Sequence, residues 1–238
     1  MRNNNEKFIV AIDGPSAAGK STVAKLVTEK LGVPYLDTGA MYRAIALKII
    51  EKGVKLPGQD VVDDDYLISE EHVAREASLD VLLDAAEVES RGDEIFLDGR
   101  NVSGEIRTPE VAWMASISSA LPRVRAKLVT IQREHGEKGS LVVDGRDIGS
   151  NVFPDAKYKF FLTAPPEVRA QRRFLEMQER GENPVFEEVL AALNERDYAD
   201  SNRSLNPLVV AEGAEVIDTN GITAEQVADY IASKVNEG

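Results

Sequence analysis

Residues Gly14–Ser21 read Gly-Pro-Ser-Ala-Ala-Gly-Lys-Ser, which fits the pattern G-x-x-x-x-G-K-[ST] at every fixed position. The apolar run Lys7–Ile12 before it predicts a strand. Apolar residues at helical spacing from Lys20 to Leu31 predict a helix that ends at Gly32. This order of strand, glycine-rich loop and helix is the context that the motif requires. The stretch therefore predicts a phosphate-binding loop at the start of an α/β domain.

Each fixed residue of the motif has a chemical reason. Gly14 and Gly19 would let the backbone wrap closely around a phosphate, with N–H groups pointing inward. The helix that follows adds unpaired N–H groups and a partial positive charge. Lys20 would bring a positive charge to the β- and γ-phosphates, and the Ser21 hydroxyl would bind Mg²⁺. The structural alternative is an ordinary glycine-rich turn between a strand and a helix.

The composition excludes several classes of protein. The chain has 238 residues, which suits one α/β domain with a small inserted subdomain. It has no cysteine, so disulfides and thiolate metal sites are excluded, and its two histidines disfavour a zinc site. A net charge of −13 disfavours a broad nucleic-acid-binding surface but allows a local arginine cluster. Because no apolar run approaches a signal-peptide core or a membrane span, we expect a soluble cytoplasmic protein.

Strands that alternate with helices predict a doubly wound, mainly parallel sheet. Continuous apolar runs at Leu141–Val143 and Tyr158–Leu162 are typical of strands buried on both faces. Further strands are predicted at Val33–Leu36, Leu79–Val88 and Val216–Ile217, and further helices after Thr38 and at Pro109–Ser118, Pro122–His135, Pro166–Arg180, Phe186–Tyr198 and Ala224–Val235.

One part of the chain departs from this alternation. Asp98-Gly99 lies between the runs Glu94–Leu97 and Arg100–Ser103, which is a strong signal for a two-residue hairpin. The acidic run Asp63–Asp65 lies in the same region. We therefore expect an antiparallel insert at residues 53–103 and a core formed by residues 1–52 and 104–238.

Charged residues follow two of the predicted strands, where α/β sheets bind ligands. Asp37 and Arg43 follow the second strand, and Asp144, Arg146 and Asp147 follow the strand at Leu141–Val143. Asp144 is the better candidate for a metal ligand, and Arg146 suits an anionic group that it binds with two hydrogen bonds. A turn with an internal Asp–Arg ion pair is the alternative.

Two further groups of charged residues have helical spacing. Arg169, Arg172 and Arg173 would share one face of a helical lid that closes over a phosphoryl group in transfer. Arg196, Asp200 and Arg203 would likewise share a helix face. A solvated basic face and an exposed ladder of ion pairs, respectively, are the alternatives. Pro122-Arg123-Val124-Arg125 places two more arginines near a helix start, where the helix dipole disfavours cations.

Taken together, these segments resemble bacterial cytidylate kinases. The matching segments run through the chain in order: Ile12–Thr22, Leu36–Arg43, Val102–Thr108, Pro122–Arg125, Asp144–Gly149 and Glu195–Asp197. The resemblance implies a P-loop nucleoside-monophosphate kinase core with a short lid at about residues 165–185. It implies transfer of the γ-phosphoryl group of ATP to CMP or dCMP with Mg²⁺, by a monomer without nucleic-acid or membrane partners.

The resemblance also implies roles for particular residues. ATP would be bound by Gly14, Pro15, Ser16, Ala17, Ala18, Gly19, Lys20, Ser21 and Thr22. The acceptor nucleotide would be bound by Ser16, Thr38, Arg43, Ser116, Arg125, Arg146, Asp147, Arg196, Asp200 and Arg203, of which Ser116, Arg125 and Asp147 read cytosine. Catalysis would depend on Lys20, Arg169, Arg172 and Arg173, and the metal on Ser21 and Asp144. Ala17 and Thr38 are small departures from the family pattern.

Two alternatives to this function remain open at this point. The first is a kinase for another small acceptor, such as UMP, AMP or shikimate. The second is a nucleotide-binding switch without kinase activity. No Asn-Lys-x-Asp sequence for guanine is present, which disfavours a GTPase.

Overall fold

The structure, a computed structural model, describes residues 7–56 and 70–237. Its strands are β1 (Ile9–Asp13), β2 (Tyr35–Asp37), β3 (Val88–Arg91), β4 (Glu94–Leu97), β5 (Arg100–Asn101), β6 (Leu141–Asp144), β7 (Tyr158–Thr163) and β8 (Glu215–Asp218). Its helices are α1 (Lys20–Leu31), α2 (Thr38–Lys52), α3 (Glu70–Asp84), α4 (Pro109–Ser118), α5 (Pro122–Lys138), α6 (Pro166–Glu179), α7 (Phe186–Asn202) and α8 (Ala224–Glu237).

The chain forms two compact units. The first comprises Met1–Asp37 and Gln132–Gly238, and the second comprises Thr38–Ile131. These bounds differ from those expected at 52/53 and 103/104 because α2 packs against α4 and β4, and so belongs with the antiparallel strands. Residues 57–69, which include part of the expected insert and the acidic run Asp63–Asp65, lie outside the described residues.

The first unit is built on a five-stranded sheet with the order β2-β6-β1-β7-β8. All neighbouring strands in it are parallel. Residues from β1, β6 and β7 form one hydrophobic core with α1 and α8, in which Ile12, Val27 and Ile231 are fully buried. Central strands that are covered in this way carry apolar residues at successive positions, which explains the continuous runs in the sequence.

The second unit contains a three-stranded antiparallel sheet with the order β3-β4-β5. Asp98 and Gly99, between β4 and β5, have φ angles of 50° and 78°. Two consecutive positive φ angles are the signature of a type I′ turn, so the predicted hairpin is confirmed. Together the two sheets and their helices confirm the α/β fold class predicted from the sequence.

The strand predicted at Leu79–Val88 is wrong over most of its length. Residues up to Asp84 belong to α3, and only Val88 lies in a strand. Leu79, Leu82 and Leu83 are all buried, and their spacing places them on one helix face. An apolar run of this length fits a strand or a helix, and here the helical spacing decides.

Two short turns were not predicted. A 3₁₀ turn covers Glu105–Arg107, and a single π-helical turn covers Ile148–Val152 directly after the segment that follows β6. Single π-turns occur frequently at functional sites. Among the residues that the structure describes, no helix combines the length and the apolar character needed to span a membrane.

Candidate functional site

The loop Gly14–Gly19 leaves the end of β1 and leads into α1, as the motif predicts. Gly14 has a φ of 143°, and a Cβ atom there would lie 2.0 Å from the backbone oxygen of Leu162 in β7. Gly14 is therefore required by packing against the neighbouring strand, in addition to the phosphate contact expected from the sequence. Gly19 is the N-cap of α1 with a φ of 90°. Ala17, the departure noted in the sequence, has a φ of 57°, which is strained for a residue with a side chain.

Lys20 lies in the interior of this loop and is only 6% exposed. Its Nζ donates a hydrogen bond of 2.7 Å to the backbone oxygen of Pro15. Burial lowers the pKa of Lys20 to about 7, and the positive charges of Arg146 and Arg196 lower it further against the opposing effect of Asp144 and Asp13. The loop thus holds a buried lysine among charged side chains of both signs.

Asp144, at the end of β6, is the centre of an oxygen-rich group. Ser21 Oγ donates to Asp144 Oδ2 at 2.9 Å, and the Tyr35 hydroxyl donates to Oδ1 at 2.7 Å. Asp37 is the register partner of Asp144 in the adjacent strand. Burial, together with the charge of Asp37, raises the pKa of Asp144 to about 6.

These oxygen atoms fit a magnesium ion that is held partly by its nucleotide. Mg²⁺ commonly binds one or two carboxylates together with substrate phosphates. In the described part of the chain, no cluster of three or more His, Cys, Asp or Glu side chains could hold a metal by itself. Ser21 and Asp144, with Asp37 beside them, therefore match the shared mode of binding.

The segment after β6 meets helix α7 through two ion pairs. Arg146 Nε donates to Asp200 Oδ2 at 2.9 Å, and Arg203 Nη2 donates to Asp147 Oδ1 at 3.3 Å. Burial raises the pKa of Asp200, but the charge and hydrogen bond of Arg146 and the charges of Arg196 and Arg203 outweigh this and hold it below its usual value. Asp200 of α7 and Arg203, which directly follows it, therefore face the Asp144–Asp147 segment. Arg203 has an extended backbone beyond the last residue of α7, so it does not lie on the helix face that the spacing predicted.

The three arginines of the predicted lid have different surroundings. Arg169 is 5% exposed; it donates to the backbone oxygens of Ala164 at 2.8 Å and Ser16 at 3.2 Å, and forms an ion pair with Asp197. Asp197 also accepts a hydrogen bond of 3.3 Å from the Ser16 backbone N–H. Arg169 and Asp197 together hold the phosphate loop against helices α6 and α7.

Arg172 and Arg173 lie one turn further along α6. Arg172 donates to Thr219 Oγ1 at 2.9 Å and to the Thr219 backbone oxygen at 2.7 Å, directly beyond β8. Arg173 pairs with Glu176 at 2.9 Å, and its side chain is 37% exposed. The sequence predicted no role for Asp197 or Thr219. Asp197 belongs to the Glu195–Asp197 segment that matches the family, whereas no sequence pattern pointed to Thr219.

The second unit carries the remaining predicted residues. Thr38 begins α2 and is buried, and Arg43 lies half-buried on the same helix. Ser116 is half-buried on α4, which packs against α2. Arg125, on α5, is 2% exposed; its guanidinium lies 5.7 Å from the centre of the Tyr42 ring, and Nη1 donates to the Ser119 oxygen at 3.3 Å.

The two arginines at the start of α5 differ in their exposure and in their partners. Arg123 is paired with Asp80 at 2.6 Å, and its side chain is 59% exposed. It is a surface ion pair of the kind that contributes little to stability. Arg125 instead is buried, and an aromatic ring and a carbonyl oxygen hold its guanidinium group.

The sequence is similar to known proteins over almost its whole length. The family model described as Cytidylate kinase matches residues 10–237. A cytidylate kinase of Caldanaerobacter subterraneus subsp. tengcongensis is 45% identical over 96% of this chain and 94% of the relative. Cytidylate kinases of Clostridioides difficile and Desulforamulus reducens are 42% and 45% identical, over 96% and 98% of this chain and 98% and 99% of each relative. The chain belongs to the cytidylate kinase family.

Proposed function

We propose that this protein is a cytidylate kinase that transfers the γ-phosphoryl group of ATP to CMP or dCMP, giving ADP and CDP or dCDP. One observation carries the proposal: the Asp144–Asp147 segment lies beside the phosphate loop. Ser21 bonds to Asp144 at 2.9 Å, and Gly145 N–H donates to the Ile12 oxygen at 3.1 Å. A phosphate-binding loop and an arginine–aspartate cluster therefore share one edge of the parallel sheet, where such sheets bind ligands.

The donor nucleotide would be bound by the loop and the start of α1. Backbone N–H groups of Gly14–Gly19 and the helix N-terminus favour the negative charge of a triphosphate. Lys20 would exchange its bond with the Pro15 oxygen for one with a phosphate, which also relieves its repulsion by Arg146 and Arg196. The loop, Lys20 and the start of α1 would thus all bind the triphosphate of the donor nucleotide.

The acceptor nucleotide would be read by hydrogen bonds of defined polarity. Cytosine carries an N4 amino donor, which the Asp147 carboxylate would accept. Its O2 and N3 acceptors would be bound by Arg125 and Ser116 of the second unit. Uracil has an oxygen in place of N4, so the carboxylate would repel it, and a site built around a donor rejects an analogue without that donor. This polarity favours CMP over UMP.

The acceptor phosphate would be held by guanidinium groups. Arg43 and Arg146, with Ser16, are the proposed ligands, and Thr38, Arg196, Asp200 and Arg203 would bind on the ribose and phosphate side. Arg146 is already oriented by its ion pair with Asp200. Such prior orientation lowers the cost of aligning the acceptor with the phosphoryl group.

Mg²⁺ would be held by Ser21 and Asp144. In that position it would supply positive charge next to the phosphates, against the negative charge that develops during transfer. Lys20, Arg169, Arg172 and Arg173 are proposed to stabilise the same charge. No side chain is needed as a general base, because the acceptor phosphate is already an anion.

Exclusion of water matters because ATP would otherwise be hydrolysed. We propose that residues of about 165–185 act as a lid and that residues 53–103 contribute to the nucleoside-monophosphate-binding region. We further propose that the enzyme is a monomer and lies in the cytoplasm. Size-exclusion chromatography with light scattering would test the first property, and cell fractionation would test the second.

A coupled assay of ADP formation with a panel of acceptors tests the function. CMP and dCMP should give the highest kcat/KM, ahead of UMP, AMP and shikimate. A preference for AMP would overturn the roles of Asp147 and Arg125. ATP hydrolysis without transfer to any acceptor would favour the nucleotide-binding switch instead.

A further inference from the structure

Asp13 is a buried carboxylate with no role in the proposed chemistry. It is the last residue of β1, directly before the phosphate loop, and is 4% exposed. Both of its carboxylate oxygens accept backbone hydrogen bonds, from Ile148 N–H at 2.9 Å and from Gly149 N–H at 2.8 Å. Its partners lie far along the chain, in the segment that follows β6.

These two N–H groups belong to the first two residues of the π-helical turn Ile148–Val152. N–H groups at the start of a helical turn have no partner within it and require one from outside. Asp13 therefore caps this turn from a neighbouring strand. The N-cap residue of the turn itself is Asp147, whose side chain makes no capping hydrogen bond.

Asp147 is fixed by the same turn. Its backbone oxygen accepts from Val152 N–H at 3.1 Å, and its Oδ2 accepts from Asn151 Nδ2 at 3.0 Å. The remaining carboxylate oxygen bonds to Arg203 at 3.3 Å. The direction of the Asp147 carboxylate thus depends on the position of the turn, whose first two N–H groups are bonded to Asp13.

The turn has little freedom to shift. A Cβ atom on Gly149 would lie 3.2 Å from Lys159 Cδ and 3.3 Å from Ala211 Cβ, so the backbone is tightly packed there. The turn is therefore positioned by this packing together with the two hydrogen bonds to Asp13.

The chemistry of the cap requires a carboxylate. Two N–H donors face the side chain, and an ionised carboxylate offers an acceptor oxygen to each. Asparagine has nearly the same shape but presents one oxygen and one NH₂ group, so one backbone donor would face another donor. Burial raises the pKa of Asp13 to about 6 against the effect of the Gly149 and Ile148 hydrogen bonds. The protein therefore keeps a carboxylate here despite a cost of burial.

We propose that Asp13 is a positioning residue for acceptor recognition, which acts through the Ile148–Gly149 backbone to hold Asp147 against the cytosine ring. This inference rests on the proposed function. Asp13 itself touches no substrate. Its loss should weaken binding of CMP and discrimination against UMP, and should affect the affinity for ATP less, because Asp13 acts on Lys20 only through its charge.

The test compares Asp13→Asn with the wild-type enzyme in two separate measurements. Steady-state kinetics with CMP and UMP give KM and the ratio of kcat/KM values, and displacement of a fluorescent ATP analogue gives ATP affinity without an acceptor. We expect KM for CMP to rise and the CMP-over-UMP ratio to fall by about 10–100-fold, by analogy with residues that orient metal ligands. ATP affinity should change less than KM for CMP does, because Asp13 bonds directly to the turn and acts on Lys20 only through its charge.

A destabilised control separates positioning from a general loss of stability. Ile231→Val removes one methylene group from the core between α1 and α8, away from the turn. It should lower stability but leave KM for CMP and the CMP-over-UMP ratio unchanged. If Asp13→Asn does not fold, Asn151→Ala removes another hydrogen bond that orients Asp147 and should move the same ratio in the same direction.

The outcomes distinguish this inference from the function on which it rests. A wild-type enzyme that does not phosphorylate CMP would refute the proposed function. Active wild-type enzyme with equal changes in CMP and ATP binding, or with no change in either, would refute positioning by Asp13.

Discussion

Substitution of Gly14 by alanine tests whether packing alone demands a glycine at the start of the phosphate loop. The new Cβ atom would lie 2.0 Å from the Leu162 backbone oxygen, far inside any contact distance. Gly32 is a suitable comparison, since it also has a positive φ, of 65°, yet a Cβ atom there meets nothing within 4 Å. Comparison of Gly14→Ala with Gly32→Ala therefore distinguishes the cost of backbone strain from the cost of a steric clash.

The expected magnitudes follow from this geometry. Leu162 is fully buried in β7 and is the register partner of Ile217 in β8, so its carbonyl cannot move without disturbing the sheet. Overpacking of this kind costs about 1–3 kcal/mol, and a sparsely populated backbone conformation costs a further ~1–3 kcal/mol. Gly14→Ala should therefore destabilise by about 2–6 kcal/mol, and Gly32→Ala by about 1–2 kcal/mol.

Urea unfolding of both variants, followed by circular dichroism without nucleotide, measures the two free energies. The reasoning is refuted if Gly14→Ala costs no more stability than Gly32→Ala. A Gly14→Ala protein of wild-type stability that had lost only its affinity for ATP would show that this glycine serves the phosphate alone.

Four further predictions concern the same unit. Lys20→Ala should lower kcat at least ~100-fold, as loss of one transition-state donor does; near-wild-type turnover in the coupled assay would exclude the proposed role. Ala17→Gly should raise the free energy of unfolding by up to ~1 kcal/mol by relieving a φ of 57°, and a loss of stability in urea would contradict this. Arg169→Ala should lower the free energy of unfolding by about 3–5 kcal/mol because it breaks a buried ion pair. Arg173→Ala should lower it by less than ~1 kcal/mol and should also lower kcat. Equal shifts of the melting temperature in the two variants would contradict this difference. Because the pKa of Asp13 is raised from 3.8 to about 6 in the folded state, its contribution to stability should fall as pH rises from about 4 to about 6. The free energy of unfolding, measured in urea, should therefore depend less on pH over that range in Asp13→Asn than in the wild-type protein.

Much of the fold follows from local sequence signals. The strand, loop and helix from Ile9 to Leu31 were predictable because buried apolar runs, glycine and helical spacing act over a few residues. The strand at Leu79–Val88 was predicted wrongly because a short apolar run satisfies two periodicities. Which unit α2 belongs to depends on packing with α4, and no local signal carries that information.

The candidate site divides in the same way. Spacing predicted one helix face for Arg196, Asp200 and Arg203, but Arg203 lies just beyond the end of α7, and the spacing gave no partners on the segment after β6. The cap that Asp13 gives to the turn at Ile148 joins residues that are distant in sequence, so no motif contains it. The family pattern names candidate residues for binding a ligand, whereas the residues that hold those candidates in place became visible only with the contacts.

Charged side chains of both signs surround Lys20. Lys20 is buried beside Arg146 and Arg196, whose positive charges oppose its own and help to lower its pKa to about 7. Mutual repulsion of this kind destabilises the protein by itself and is relieved when an anion enters. The carboxylates of Asp13 and Asp144 act in the opposite direction, although burial disfavours their charge and raises the pKa of each to about 6. A bound phosphate would relieve the repulsion on Lys20 further, provided that contacts such as those of Asp13 and Asp197 hold the backbone in place around it.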